Sequence, residues 1–154
     1  MNEKFMFEAI RLSEESIERG GGPFGAVVVK NGKMIAGASN SVTNDMDPTA
    51  HAEVNAIRKA CKILGTYDLS GCEIYSSCEP CPMCLSAIYW AHIETVYFGN
   101  TREDAKTAGF ADDFIYNEFG LDMNRRKVKL IPLLRNKSLA AFDLWNKSEN
   151  KTGY

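Results

Sequence analysis

Apolar side chains at Phe5, Met6, Ala9, Ile10, Leu12 and Ile17 recur at helical spacing, so residues 3–19 are expected to form an amphipathic helix with one stripe turned to a core. Gly20-Gly21-Gly22-Pro23 ends it. The period then changes. Phe24-Gly25-Ala26-Val27-Val28-Val29 is short and β-branched, and Asn31-Gly32 is a strong hairpin signal ahead of Lys33-Met34-Ile35-Ala36-Gly37-Ala38, which predicts a β-hairpin. Residues 39–47, rich in Ser, Asn, Thr and Asp, read as a loop. Asp47-Pro48 resembles a cap followed by a first-turn proline, and the helix it opens carries Val54, Ile57, Ala60, Cys61 and Leu64 on its apolar face, with Gly65 as the stop.

A second strand-to-helix unit follows, Cys72 to Ser77 and then Pro82 to Ala91, and Thr95-Val96-Tyr97-Phe98-Gly99 is a further strand. Residues 101–123 read as short helices and loops. Lys127 to Leu134 reads as a last strand, at an edge or bulged because Pro132 lacks a donor, and Ser138 to Ser148 as a closing helix. Two hairpin strands followed by alternating helices and strands define an α/β sandwich on a mixed sheet. Trp90, beside Ile88 and Tyr89, reads as helix core.

Composition narrows the class. A chain of 154 residues, 45% hydrophobic, is long enough for one domain with a substantial core. A net charge of −2 and a pI near 5.7 offer no electrostatic footprint for polyanions, so nucleic acid is not expected as the main partner. No run approaches the roughly 18 to 20 apolar residues of a membrane helix, and the charged start Met1-Asn2-Glu3-Lys4 does not read as a signal peptide. Five cysteines, an odd number, fit metal binding in a reducing cytoplasm better than a disulfide framework.

The chemistry concentrates in two stretches. Cys81-Pro82-Met83-Cys84 places two thiols three residues apart on one helical face, with Pro82 suited to the first helical position. A helix N-terminus favours the thiolate, the form that binds metal. With His51 as third ligand the set is Cys₂His plus one open position, the pattern of a catalytic zinc site. Cys78 as a fourth ligand would instead close a structural site and leave Glu53 without a task. Residues two apart on an ideal helix point about 200° from one another, so His51 and Glu53 can share a site only if His51 sits on an irregular first turn.

His51-Ala52-Glu53 with Pro80-Cys81-Pro82-Met83-Cys84 is the signature of zinc-dependent nucleobase deaminases. Over nearly its whole length the chain resembles the cytidine-deaminase superfamily. Within it, the chain most resembles the bacterial guanine deaminases, through Gly22-Pro23-Phe24-Gly25-Ala26-Val27, Asp47 to Ala60, Ser77 to Cys84, Ala87-Ile88-Tyr89-Trp90-Ala91, Ala108-Gly109-Phe110, Phe114-Ile115-Tyr116 and Tyr154. The resemblance implies a three-layer α/β/α sandwich with a central mixed five-stranded sheet. It implies one deaminase domain over 1–154, with 138–154 as C-terminal helix and tail.

The implied activity is zinc-dependent hydrolysis of guanine to xanthine and ammonia, in purine catabolism or salvage, with Glu53 shuttling protons. By the same resemblance Asn40 contacts the base, Phe24 packs at the pocket and Asp112 (or Asp113, one register on) is a further site residue. The implied assembly is a homodimer whose swapped tail brings Tyr154 to a neighbour's site. The bland alternatives stand beside these: Asn40 as a turn stabiliser, Phe24 as core, Asp112 as a solvated loop acid.

Two other readings compete. Asp47-Pro48-Thr49-Ala50-His51-Ala52-Glu53 and Phe98-Gly99 with Asp104-Ala105-Lys106-Thr107 also resemble tRNA adenosine deaminases, against which the acidic balance and the scattered lysines and arginines argue. A non-enzymatic zinc-stabilised binding module would make Glu53 dispensable.

Overall fold

Side chains alternate across a strand, and in β1 (Gly25–Lys30) that alternation decides the layering. Ala26 and Val28 enter one apolar cluster with Ile57, Ala60, Ile74 and Ile88, whereas Val27 and Val29 enter another with Phe5, Ala9 and Tyr75. Both faces are buried, so helices must cover both. The computed structural model describes residues 2–153 and divides the chain into two units, Met1–Asp112 and Asp113–Tyr154. In the first, α1 (Glu3–Glu18) covers one face of the sheet, while α3 (Ala52–Leu64) and α4 (Pro82–Trp90) cover the other. This is a three-layer α/β/α sandwich.

The sheet is mixed, in the order β2-β1-β3-β4, with β2 (Lys33–Ser39), β3 (Cys72–Cys78) and β4 (Thr95–Asn100). β1 runs antiparallel to both neighbours, and β3 pairs parallel with β4. The hairpin turn is the expected one: Asn31 and Gly32 take φ of 52° and 69°, the two positive values that a type I′ turn requires. At Gly25 an added Cβ would lie 2.2 Å from Ala9 O and 2.6 Å from Ser13 N, so glycine lets α1 sit directly on the start of β1.

Among the described residues the expected fifth strand is absent: the sheet has four strands. The segment 127–134 finds other partners within the second unit. Lys127 N donates to Glu118 Oε2 at 2.7 Å rather than to a ladder, Pro132 has no N–H to give, and Leu134 turns left-handed (φ 51°) to begin a helix. That helix, α7 (Arg135–Lys147), starts three residues earlier than the pattern suggested. The same unit contains α6 (Asp113–Phe119) and a 3₁₀ turn at Met123–Arg125. Arg126 reaches back to the carbonyls of Leu121 (3.0 Å) and Phe119 (3.2 Å).

In the first unit the polar stretch after β2 contains one short helix, α2 (Val42–Asp45), and α5 (Arg102–Thr107) follows β4. Trp90 is not core: it is 66% exposed, because the inward positions of α4 are taken by Cys84 and Ile88. Among the described residues no helix is long and apolar enough to cross a membrane.

Candidate metal centre and active site

Two helix starts converge on the buried strand β3. Asp47 does not cap α3; its Oδ1 accepts from the Thr49 N–H at 2.8 Å and the Thr49 hydroxyl at 2.7 Å, closing a turn that holds Pro48 outside the helix. The helix begins later, with His51 as N-cap in extended backbone (φ −69°, ψ 155°) and Ala52 and Glu53 as its first two residues. This frees His51 from the helical 100° step, so its ring and the Glu53 carboxylate reach the same space. Cys81 holds the equivalent place on α4, an extended N-cap (φ −64°, ψ 168°) followed by Pro82. Neither side chain caps its own helix.

His51 Nδ1 lies 3.5 Å from Cys81 Sγ and 3.5 Å from Cys84 Sγ, and the three donor atoms fall within 4.8 Å of one another. A tetrahedral zinc with ordinary Zn–S and Zn–N bond lengths would set sulfur and nitrogen about 3.6 Å apart. The donor chemistry and this spacing both fit zinc. Cys78 lies outside the cluster; its thiol donates to Thr101 O at 3.6 Å, and burial pushes it up to about 11. Three donors, not four, therefore face one point among the described residues.

Protonation in the cluster is shared. Cys81 is pulled down to about 4, first by the hydrogen bond from Cys84 and then by the facing His51 ring. Cys84 is pushed up, because it donates to Cys81 and is buried beside Glu53. His51 is raised, chiefly by its contact with Cys81. Glu53 is also raised, and burial is the main cause, since only 5% of the residue is exposed.

The two oxygens of Glu53 have different surroundings. Oε1 accepts the Ser76 hydroxyl at 3.0 Å, and Oε2 lies 3.3 Å from Cys84 Sγ, on the side of the cluster. Ser76 is a site residue that the sequence reading missed. Two adjacent serines following Ile74 and Tyr75 in β3 were the available signal, since buried hydroxyls need partners. Ser77 accepts the Gly25 N–H at 3.0 Å, on the neighbouring strand.

The other predicted residues fall around this centre unevenly. Asn40 is buried; its Oδ1 accepts from Gly22 N (3.4 Å) and Val42 N (3.2 Å), so it does stabilise the local turn, while its amide nitrogen has no partner among the described residues. Phe24 packs edge-to-face on Phe110, ring centroids 5.0 Å apart, and against the α3-side core. Asp112 is half-buried at the end of the first unit, and Asp113 opens α6 in the second. Tyr154 lies outside the described residues.

This fold and cluster define a zinc-binding deaminase, and residues 1–100 match the family model described as the cytidine and deoxycytidylate deaminase zinc-binding region. The chain belongs to that family. It is 48% identical over 154 residues to a guanine deaminase of Bacillus subtilis (strain 168), covering 99% of each chain. The X-ray structure of guanine deaminase from Bacillus subtilis matches with a TM-score of 0.96 at 49% identity, covering 100% of this chain and 99% of that one. A tRNA-specific adenosine deaminase of Aquifex aeolicus (strain VF5) is 47% identical over 112 residues, 73% of this chain and 73% of its own.

Proposed function

We propose that this chain hydrolyses guanine to xanthine and ammonia, with His51, Cys81 and Cys84 holding one zinc ion and Glu53 moving the protons. One observation carries the chemistry: a buried carboxylate that is not part of the ligand cluster presents one oxygen to it. Guanine as the base rests on the likeness to the Bacillus subtilis enzyme over the full length of both chains.

Bound there, zinc supplies a Lewis acid that makes water nucleophilic near neutral pH. The chain's own residues do the rest. Glu53 Oε2 accepts a proton from the attacking water and returns it to the ring nitrogen beside the carbon under attack. The second water proton follows the same route to the amino group, which leaves as ammonia, so water is consumed and no redox partner is needed. Ser76 holds Oε1 and so fixes the direction in which Oε2 faces. Asn40 offers its unpartnered amide nitrogen to an acceptor on the base, with Phe24 packing at the pocket and Asp112 and Tyr154 completing recognition.

The working unit we propose is a homodimer, in a reducing cytoplasm where all five cysteines remain reduced. Its support is the apolar surface that a single chain leaves open: Tyr89, Trp90 and Phe98 in the first unit, Phe142, Leu144 and Trp145 in the second. Ammonia release from guanine, guanosine, adenine, cytosine, cytidine and tRNA, with and without a chelator, tests the reading. Turnover of guanine alone, abolished by the chelator and regained with zinc, is expected. Preferential turnover of adenosine in tRNA would move the chain to the reading suggested by its likeness to the Aquifex aeolicus enzyme.

A further inference from the structure

Four of the cations scattered along the sequence meet in space. A cavity of about 510 Å³ in the first unit is lined by Arg19, Arg58, Lys59 and Lys62, and by a single carboxylate, Asp45. Asn55, Arg58, Lys59 and Lys62 form one stripe of α3 at i, i+3, i+4 and i+7, opposite the face that carries Ala56, Ile57 and Ala60 into the core. Arg19 closes the groove from the C-terminal end of α1. None of the four cations belongs to the His51, Cys81, Cys84 cluster.

The walls are held by neutral partners. Asn55 Nδ2 donates to Ser39 O (3.2 Å), Ser41 Oγ (3.0 Å) and Ala50 O (3.2 Å); Asn44 Nδ2 donates to Arg19 O (2.8 Å) and Arg19 Nη2 to Ser39 Oγ (2.9 Å). The cations themselves are poorly neutralised. Asp45 already accepts the Ser41 hydroxyl, and Arg19 and Arg58 meet Glu15 and Asp47 only at 3.8 Å and 3.7 Å. Lys59 donates to the carbonyl of Gly37 at 3.2 Å, and neither Lys59 nor Lys62 has a carboxylate within 4.0 Å among the described residues.

A chain with a net charge of −2 that gathers four cations into one concavity presents a counter-anion site there. We infer that this groove binds the phosphate groups of a small, nucleotide-sized molecule. Its size suits such a ligand, since small-molecule sites run from about 300 to 1,000 Å³. The stripe from Asn55 to Lys62 rises about 10 Å along the helix, enough to face one or two phosphate groups. A nucleic-acid backbone would need about six or more phosphate contacts along an extended track, and Glu15 and Asp47 interrupt any such track at the rim.

The test is titration calorimetry on the zinc-loaded full chain with ADP, whose base is not the proposed substrate, against adenosine as the phosphate-free control. Saturable ADP binding that inorganic phosphate competes away, that weakens with added salt and that adenosine does not reproduce is expected. Lys59→Gln/Lys62→Gln should weaken it about tenfold or more, the loss of a charge-assisted contact, with zinc content and circular dichroism unchanged. No ADP binding up to ~10 mM, or binding unchanged in the double variant, overturns the inference. Single-stranded RNA bound more tightly than ADP and equally sensitive to the double variant would also overturn it, in favour of a nucleic-acid surface. Deamination of guanine is measured separately, because Asn40, proposed to meet the base, also lines the groove.

Discussion

The Ser76 hydroxyl donates to Glu53 Oε1 at 3.0 Å, so a buried strand residue fixes the orientation of the carboxylate beside the metal cluster. Ser76→Ala removes the Ser76 donor from Oε1 and leaves the carboxylate less tightly oriented, held from the Cys84 side. We expect kcat for guanine to fall about tenfold, the kinetic equivalent of one lost hydrogen bond, with KM and zinc content close to wild type. A raised KM at unchanged kcat would show that Ser76 acts on binding rather than on Glu53.

Glu53→Gln keeps the shape of the side chain and removes its ability to accept a proton. Turnover should drop by about a hundred- to ten-thousandfold while metal analysis still finds one zinc per chain. Full turnover in this variant would show that Glu53 does not move the protons and would overturn the mechanism proposed above.

The cysteines should separate into two groups. Cys81→Ala and Cys84→Ala should each lose zinc and lower the melting temperature, whereas Cys78→Ala should retain the metal, because the Cys78 thiol is spent on Thr101 O. Elemental analysis of the three purified variants decides this. Equal loss in all three would make Cys78 a ligand after all.

Away from the site, Thr101 and Asp104 form a capping box at the start of α5: Asp104 N donates to Thr101 Oγ1 at 3.3 Å, and Thr101 N donates to Asp104 Oδ2 at 2.8 Å. Thr101→Ala should cost about 1 kcal/mol in denaturant unfolding. The Thr101 donors hold the Asp104 carboxyl below its ordinary value, its folded pKa lying under its unfolded one. Its contribution is therefore present above the unfolded pKa, near 3.9, and is lost as pH falls through the lower folded value. An acid titration of stability in Asp104→Asn should lack that component.

Sequence pattern sufficed where local chemistry dominates. Asn31-Gly32 fixed a hairpin because two positive φ angles are what that turn needs, and the Cys81 to Cys84 spacing with Pro82 located a helix start to within a residue. It failed where a partner outside the local window decides. Val128, Ile131 and Leu133 have the composition of a strand, yet all three are exposed in the single chain and pair with no sheet. Asp47-Pro48 has the composition of a helix start, but Thr49 captures the Asp47 carboxylate first and moves the start to His51. The role of Ser76 lay beyond its sequence signal for a third reason: only the fold shows that it faces Glu53 and not solvent.

His51 and Cys81 both occupy N-cap positions, and neither caps. Serine or aspartate at such a place ordinarily stabilises a helix by about 1 kcal/mol. In the metal-free protein, then, His51→Asp and Cys81→Ser would each strengthen a helix while dismantling the centre, the usual opposition between stability and activity. A library selected only for heat resistance, in medium stripped of zinc, should lose its ligands at these two positions first.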